Sequence, residues 1–324
     1  MRTLSILLGT SAAIGLALGA AAPAAADWPH DKPVRFIIPA APGGTTDGLG
    51  RIFSARLNET LNAQFLVDNR ASASGVLAAE ITKSAAADGY TLFVPYHQHT
   101  VNAALMKLPY HPVNDFTPIT QLTEAGLVLV VNPSLPVRNF REFLDWARKQ
   151  QGKLNFGSAG LGSGGHLAGE LFNLQAGVKA QHIPYKGTGP AMIALMSGEY
   201  HFNFAGLLGV LPLVGSGKLR ALAVTTEKRI PGYEDLPTVK ESGLPDFLVV
   251  GWYGVMGPPR LPKPLVMRIH AELIKVLNEP VTNKRLVSFG STPVGSDPET
   301  FRKFLLADMA KWQDVVKKSG AKAE

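Results

Sequence analysis

The chain has 324 residues, no cysteine, 32 basic and 25 acidic side chains, and 46% hydrophobic residues. This length is typical of two domains, and the hydrophobic fraction excludes a disordered chain. The absence of cysteine excludes disulfides, cysteine-ligated zinc, iron–sulfur clusters and thiol catalysis. A net charge of +7 favours an anionic partner but is too small at this length to indicate nucleic-acid binding.

The N-terminal segment has the pattern of a secretory signal peptide. Arg2 is the only charged residue before Asp27, and the apolar stretch 4–18 is followed by small residues up to Ala26. The alternative is a membrane anchor, but that stretch is shorter than the roughly 20 apolar residues that span a bilayer. We therefore predict that residues 1–26 are removed by cleavage after Ala26 and that the mature chain is exported to the bacterial periplasm.

Short apolar strands alternate with helical patterns in the first part of the chain. The strand Val34–Ile38 ends at Pro39, and a glycine-rich loop then leads into a helix that Thr45, Thr46 or Asp47 can cap. Further predicted elements are strands at 65–67, 90–94 and 127–131, a helix at 74–86, and a helix after Pro136 with Phe140, Phe143, Leu144 and Ala147 on its buried face.

The middle of the chain repeats this order. A strand at 153–156 is followed by the glycine-rich loop 157–165 and by a helix from His166. Further predicted elements are strands at 181–183, 201–204 and 219–224 and a helix at 190–196. This alternation predicts parallel sheets in a protein of the α/β class.

The C-terminal segment is predicted to be helical, at 264–277 and 297–316. The buried face of the second helix is predicted to hold Phe301, Phe304, Leu305, Met309, Trp312 and Val316. Since these helices have no strands of their own, we expect them to pack on an earlier sheet. The predicted domains are a discontinuous first domain, 27–124 with 249–324, and a second domain, 125–248.

The segment Gly160–Gly165 matches the G-x-G-x-x-G pattern of dinucleotide-binding loops. A dinucleotide site also needs an acidic residue at the end of the next strand, and the stretch Gln181–Lys186 has none. We therefore expect no cofactor.

Serine and histidine residues raise two further kinds of chemistry. Ser158 and Ser163 lie near His166, but neither serine has the glycine two positions before it that a nucleophile elbow requires, so a secreted serine hydrolase is a minor alternative. His97 and His99 have no partner at metal-ligand spacing, and the alternatives for them are a polar pocket lining or a structural role.

Both glycine-rich loops, the first loop after Pro39 and the second loop at 157–165, lead directly into the N-terminus of a helix. Unpaired backbone N–H groups and the positive end of the helix dipole make such a terminus an anion site without lysine or arginine. Two such loops across a cleft are suited to a molecule with an anionic group at each end. The alternative is that both loops are merely tight strand–helix connections.

The segment Pro39–Asp47 resembles the first signature of the Bug family, the TctC-like periplasmic solute-binding proteins of tripartite tricarboxylate transporters. The resemblance continues through segments 88–92, 108–110, 131–136, 157–172, 183–187, 217–225 and 236–239. It implies a Venus flytrap fold like that of type II periplasmic binding proteins, with two α/β domains, a ligand cleft between them, and crossing hinge strands near Ala125 and Val249.

The resemblance also implies a ligand site in which backbone amides and ordered waters grip a carboxylate. Carried onto this sequence, the candidate ligand-binding residues are Ala40, Ala41, Gly43, Gly44, Thr45, Asp47, His97, His99, Ser158, Ala159, Gly160, Ser163, Thr188, Gly189 and Ala205. A carboxylate would repel an anionic ligand, so Asp47 is interpreted as a cap that rigidifies the first loop.

Departures from the family pattern bear on the ligand. Family members commonly have an aromatic residue at Ala40 and an aspartate at Ala205, and Tyr96 and His97 replace small residues before the family-typical His99. These changes predict a larger, less polar cleft and an aromatic dicarboxylate such as terephthalate. An aliphatic dicarboxylate or a citrate-like acid is the alternative.

The expected function is capture of a small carboxylate without catalysis. Hinge closure would present the loaded protein, expected to be a monomer, to the membrane permease subunits of a tripartite tricarboxylate-type transporter. A receptor-only protein that docks on a membrane sensor kinase is the alternative, since transport and sensing would use the same site. No nucleic-acid partner and no metal are expected.

Overall fold

A computed structural model describes residues 28–42, 45–72, 75–150, 152–185, 187–288 and 290–320. The predicted signal peptide, and Gly43 and Gly44 of the first loop, lie outside the described residues. The strands are β1 Val34–Ile38, β2 Phe65–Asn69, β3 Thr91–Phe93, β4 Thr117–Val131, β5 Leu154–Ser158, β6 Ala180–Pro184, β7 Phe202–Gly206, β8 Arg220–Val224, β9 Val250–Gly257 and β10 Thr292–Pro293. The helices are α1 Thr45–Leu61, α2 Val76–Lys83, α3 Gln98–Leu105, α4 Phe140–Lys149, α5 Gly164–Ala176, α6 Thr188–Ser197, α7 Leu207–Gly215, α8 Lys263–Asn278, α9 Pro280–Ser288 and α10 Pro298–Ser319.

The long strand β4 joins two halves of one sheet, in the order β2-β1-β3-β9-β4-β7-β5-β6. Its first part pairs with β9, from Thr117 opposite Gly257 to Gly126 opposite Val250. Its second part, from Leu127, pairs with β7 and β8. We refer to β1, β2, β3, β9 and β10 as the first half of the sheet and to β5, β6, β7 and β8 as the second half.

The strand directions correct the prediction of parallel sheets in one respect. β1 is parallel to β2 and β3, and β5 is parallel to β6 and β7, as predicted. The strands that connect the halves are antiparallel, because β4 runs opposite to β7, β8 and β9. The carboxyl ends of parallel strands lie at one edge of a sheet, so α1 begins at that edge in the first half, and α5 and α6 begin there in the second.

The residue pattern did not predict strand β9, because Gly251 and Gly254 interrupt its apolar run, although the family resemblance implied a crossing strand near Val249. Gly254 is required by close packing, since a Cβ there would lie 2.4 Å from Cζ of Phe301. The first part of β4 and helices α3, α7 and α9 were also missed. Apolar runs this short do not distinguish a helix from a strand by periodicity.

Helix α10 packs on both halves of the sheet. Phe301 and Leu305, near its start, belong to a buried cluster with Trp252 of β9. Trp312 and Val316, near its end, belong to the buried cluster around α4 and α5. The C-terminal helix therefore packs on earlier elements, as predicted, and it also contacts the half of the sheet that the predicted second domain contains.

Replacement of Gly169 by alanine is expected to destabilise the protein by about 1–3 kcal/mol, although alanine is the better helix former. The added Cβ would lie 2.0 Å from Cε2 of the buried Phe156. Gly215, where a Cβ would meet no atom within 4 Å among the described residues, provides the matched control. Urea denaturation measures the free energy of unfolding of Gly169→Ala and of Gly215→Ala. Equal values for the two variants would contradict the packing argument.

Candidate ligand-binding site

The described part of the first loop is held by Asp47. Nδ2 of Asn69 donates to Oδ1 of Asp47 and to the carbonyl oxygen of Ala40, each at 3.1 Å. Oδ2 of the buried Asp47 accepts from Nε of Arg51 at 2.9 Å. The carboxylate is therefore engaged within the first half of the molecule, in keeping with the rigidifying role given to it from the sequence.

The start of α1 is connected to the segment between β3 and α3 through two tyrosines. The side chain of Thr45 lies close enough to the hydroxyl of Tyr253 of β9 to offset part of the rise that burial causes in its pKa. The ring of Tyr253 stacks on Tyr96, with 6.5 Å between centroids and 28° between planes. Burial raises the pKa of both tyrosine hydroxyls, so both remain protonated donors at neutral pH.

His97 lies between the two halves. Its ring packs edge-on against Tyr96 at 5.3 Å. The ring packs against two glycines, Gly164 at the start of α5 and Gly251 of β9. A Cβ added at Gly164 would lie 3.8 Å from Nε2 of His97, and one added at Gly251 would lie 3.6 Å from Nδ1. Nδ1 is buried and has no hydrogen-bond partner among the described residues. Burial lowers the pKa of His97 to about 4, so the ring is neutral at pH 7.

His99 lies apart from His97, within the core of the first half. Its Nε2 is 2.8 Å from the carbonyl oxygen of Pro112, and its ring packs against those of Phe93, Tyr110 and Phe116. Burial lowers the pKa of His99 to about 4. Of the alternatives considered for the two histidines, the structural role fits His99.

The second loop is bonded to itself through two serines. Gly160 N donates to Oγ of the fully buried Ser158 at 3.1 Å, and the Gly160 carbonyl accepts from Oγ of Ser158 at 3.0 Å and of Ser163 at 2.7 Å. Oγ of Ser163 also accepts from His166 N, which caps α5. Within the described chain, the backbone N–H groups of Ala159, Leu161 and Gly164 have no partner. These amides are the donors available to an anion.

The second loop rests directly on helix α3 of the first half. A Cβ at Gly162 would lie 2.9 Å from Cδ1 of Leu105 and 3.2 Å from Nε2 of Gln98. Gly162 also has φ +72°, a conformation that favours glycine. The sequence could not predict this contact, because α3 itself was missed.

The remaining candidate residues occupy different surroundings. Thr188 and Gly189 are exposed at the start of α6, which is tied to the second loop by a 3.1 Å hydrogen bond from Gly187 N to the carbonyl oxygen of Ala159. Ala41 is exposed, and Ala40 packs partly on the buried cluster of the first half.

Ala205 belongs to a buried apolar cluster with Val128 and Val210. An aspartate at Ala205 would therefore place a carboxylate among apolar side chains. The structure gives this alanine no part in widening a cleft.

Other kinds of site find no support in the described residues. No group of three or more histidine, aspartate or glutamate side chains there is placed to hold a metal ion. None of the helices in the described ranges has the length and apolar character needed to cross a bilayer. Ser158, the candidate nucleophile, is 0% exposed.

The two-part sheet, with loops that lead into α1 and α5, is the fold of solved periplasmic solute-binding proteins. Residues 49–321 match the family described as the tripartite tricarboxylate transporter family receptor, TctC. The chain belongs to this family. Its members are periplasmic substrate-binding receptors and not enzymes, which excludes the hydrolase alternative.

Relatives cover nearly the whole chain. Protein BugT of Bordetella pertussis is 33% identical over 94% of both chains. An R. palustris protein whose structure is described with adipate is 34% identical, with a TM-score of 0.77, and covers 91% of this chain and 99% of its own. MatC from Rhodopseudomonas palustris, described with bound malate, is 32% identical, with a TM-score of 0.71 and coverages of 87% and 98%.

Proposed function

We propose that this protein binds a small dicarboxylate between the first and second loops, through backbone amides at the N-termini of α1 and α5. The observation that carries the proposal is a continuous set of contacts between these two termini. It runs from Thr45 through Tyr253, Tyr96 and His97 to Gly164. A helix N-terminus at each end of this set supplies positive potential for one carboxylate each.

The proposed ligand is an aromatic dicarboxylate such as terephthalate. The stacked pair Tyr96 and Tyr253 supports it, since aromatic side chains present flat apolar surface to a ring. Ala205 no longer contributes to this proposal because it is packed in an apolar cluster. The relatives described with adipate and malate favour the aliphatic alternative.

Capture is proposed to close a hinge where β4 and the segment before β9 cross between the halves. Thr225 holds both crossing segments, since its Oγ1 accepts from Leu127 N at 2.9 Å and donates to the carbonyl oxygen of Val249 at 2.5 Å. The domains that would move are those predicted from the sequence, 27–124 with 249–324 and 125–248. Such rotation about a few strand residues is a common route of domain closure.

We propose that the chain is cleaved after Ala26 and that the mature protein is a periplasmic monomer. It would deliver its ligand to the permease of a tripartite transporter. A sensor kinase partner is the alternative. Uptake of labelled ligand distinguishes delivery to the permease from docking on a sensor kinase. Loss of uptake on deletion of the permease genes supports delivery, whereas unchanged uptake contradicts it.

The proposal is tested by a thermal-shift panel on protein refolded to remove any ligand carried through purification. The panel holds malate, adipate, citrate, benzoate and the three benzene dicarboxylates. Ligand at about 100 times its dissociation constant stabilises by about 2.7 kcal/mol, which raises the melting temperature by roughly 5–10 °C for domains of this size.

The outcome of the panel separates the ligand classes. A shift with one benzene dicarboxylate supports the aromatic ligand. Shifts with malate or adipate alone keep dicarboxylate binding and reject the aromatic ligand. Equal shifts with benzoate and the dicarboxylates contradict the two-ended site.

A further inference from the structure

A buried polar cluster lies beneath the second loop and includes none of the amides assigned to the ligand. It consists of Ser158, His166, Glu170 and His182, from β5, α5 and β6. The rings of His166 and His182 are stacked, with 4.1 Å between centroids and 24° between planes. The proposed function uses none of these four side chains, so the roles of the two histidines are open.

His166 holds the peptide of Gly162. Its Nδ1 lies 3.0 Å from Gly162 N, which must donate, so Nδ1 is unprotonated. The proton of the neutral ring is therefore on Nε2, which faces Oε1 of Glu170 at 3.8 Å. Burial lowers the pKa of His166 to about 4, in keeping with a neutral ring.

His182 holds the peptide of Gly160 through Ser158. Its Nε2 is 2.7 Å from Oγ of Ser158, the same oxygen that accepts from Gly160 N and donates to the Gly160 carbonyl. A hydroxyl has one proton, so all three contacts are hydrogen bonds at once only when His182 carries its proton on Nε2. The ring of Phe156, 4.9 Å away, supports His182 by stacking.

These bonds turn alternate peptides of the loop inward. Gly160 N and Gly162 N both point into the protein, toward Ser158 and His166. The amide between them, Leu161 N, has no partner within the described chain. Loss of either inward bond would free the loop to rotate Leu161 N away from the ligand.

We propose that His166 and His182 are positioning residues, which fix the peptides of Gly160 and Gly162 so that the remaining amides of the second loop face a bound carboxylate. This inference rests on the proposed function for the identity of the ligand. The orientation of the loop itself is a property of the ligand-free protein, and it can be measured without any ligand.

The experiment compares two substitutions at each histidine. A glutamine amide nitrogen can replace Nε2, so His182→Gln keeps the donor to Ser158, whereas His182→Phe keeps the stacking and removes the donor. An asparagine oxygen can replace Nδ1, so His166→Asn keeps the acceptor for Gly162 N, whereas His166→Phe removes it. Affinity is measured calorimetrically on the exported protein, with adipate and terephthalate as probes.

We expect His182→Phe and His166→Phe to weaken probe binding by about 5- to 10-fold, as loss of one hydrogen bond implies. The amide variants are expected to bind within about 3-fold of the wild type, although they lose ring stacking and are less stable. Affinity is thus expected to follow the retained hydrogen bond and not the free energy of unfolding, which the unpaired group in each phenylalanine variant and the lost stacking in each amide variant both lower. Equal affinities of the phenylalanine and amide variants at both positions would overturn the proposal.

Two ligand-free readouts by NMR keep this test separate from the proposed function. Long-range proton–nitrogen spectra are expected to show both rings protonated on Nε2. Amide exchange at Gly160 is expected to accelerate in His182→Phe, and that at Gly162 in His166→Phe. Unchanged exchange at these amides overturns the positioning role even if neither probe binds, whereas failure of both probes to bind the wild type counts against the proposed ligand alone.

Discussion

Acidification from pH 7 to pH 5 is expected to lower the free energy of unfolding by several kcal/mol. Burial lowers the pKa of His97, His99 and His166 to about 4 and that of His182 to about 3. In the unfolded chain these rings have the ordinary value of about 6.5. The unfolded state therefore binds more protons than the folded state as the pH falls from about 6.5 to about 4.

The direction of this change in stability follows from the linkage between proton binding and folding. Each ring contributes its full stability above about pH 6.5, where both states are neutral, and loses it progressively as the pH falls toward the folded pKa. From pH 7 to pH 5 the loss is on the order of 1–2 kcal/mol for each histidine. Burial raises the pKa of Glu124 and Glu170, which acts in the opposite direction and offsets part of the loss.

Urea denaturation at pH 7, 6 and 5 measures this dependence. The variant His99→Gln removes one of the four rings, so its stability is expected to be lower at pH 7 and to fall less steeply with acid. A free energy of unfolding that stays constant from pH 7 to pH 5 would contradict the burial of neutral histidines.

Ser163→Asp is expected to raise the dissociation constant for a dicarboxylate about 100-fold while the protein remains folded. Aspartate is as good an N-cap as serine, so the start of α5 should be retained. The carboxylate cannot donate to the Gly160 carbonyl as the Ser163 hydroxyl does, so a small loss of stability is expected as well. At a separation of about 5 Å, repulsion between the new negative charge and a bound carboxylate is roughly 3 kcal/mol at an effective dielectric constant of 20.

Ser163→Asn is the matched control, because asparagine has nearly the same shape as aspartate, caps helices equally well and carries no charge. The ratio of the two dissociation constants, measured by isothermal titration calorimetry, isolates the effect of the charge. It should shrink in high salt if the cleft is open to ions. Equal affinities of the two variants would remove the second loop from the anion site.

Much of the fold was predictable because it depends on local chemistry. Strand β1 has its predicted bounds, and the predicted inner face of α4 is buried at all four positions: Phe140, Phe143, Leu144 and Ala147. Asp297 is the N-cap of helix α10, and its side chain accepts hydrogen bonds from Glu299 N and Thr300 N. Capping residues and periodic apolar positions lie within a few residues of what they determine, so a sequence carries them directly.

Parts of the site could not be predicted because their partners are distant in the chain. Tyr253 reaches Thr45 across 208 positions, and no pattern near either residue indicates this contact. Asn69 lies 22 positions after Asp47, yet its side chain ties Asp47 to Ala40. Such residues become visible only when strands from different parts of the chain are paired.

The sequence by itself determined the family, the two glycine-rich loops and the helix that follows each loop, since motifs and caps are contiguous. Only the tertiary structure decided the surroundings of His97 and His99. These histidines are two residues apart, yet the start of α3 directs one toward α5 and the other into an aromatic core. The direction of a side chain depends on backbone rotation and on packing against non-local elements, which residue spacing does not specify.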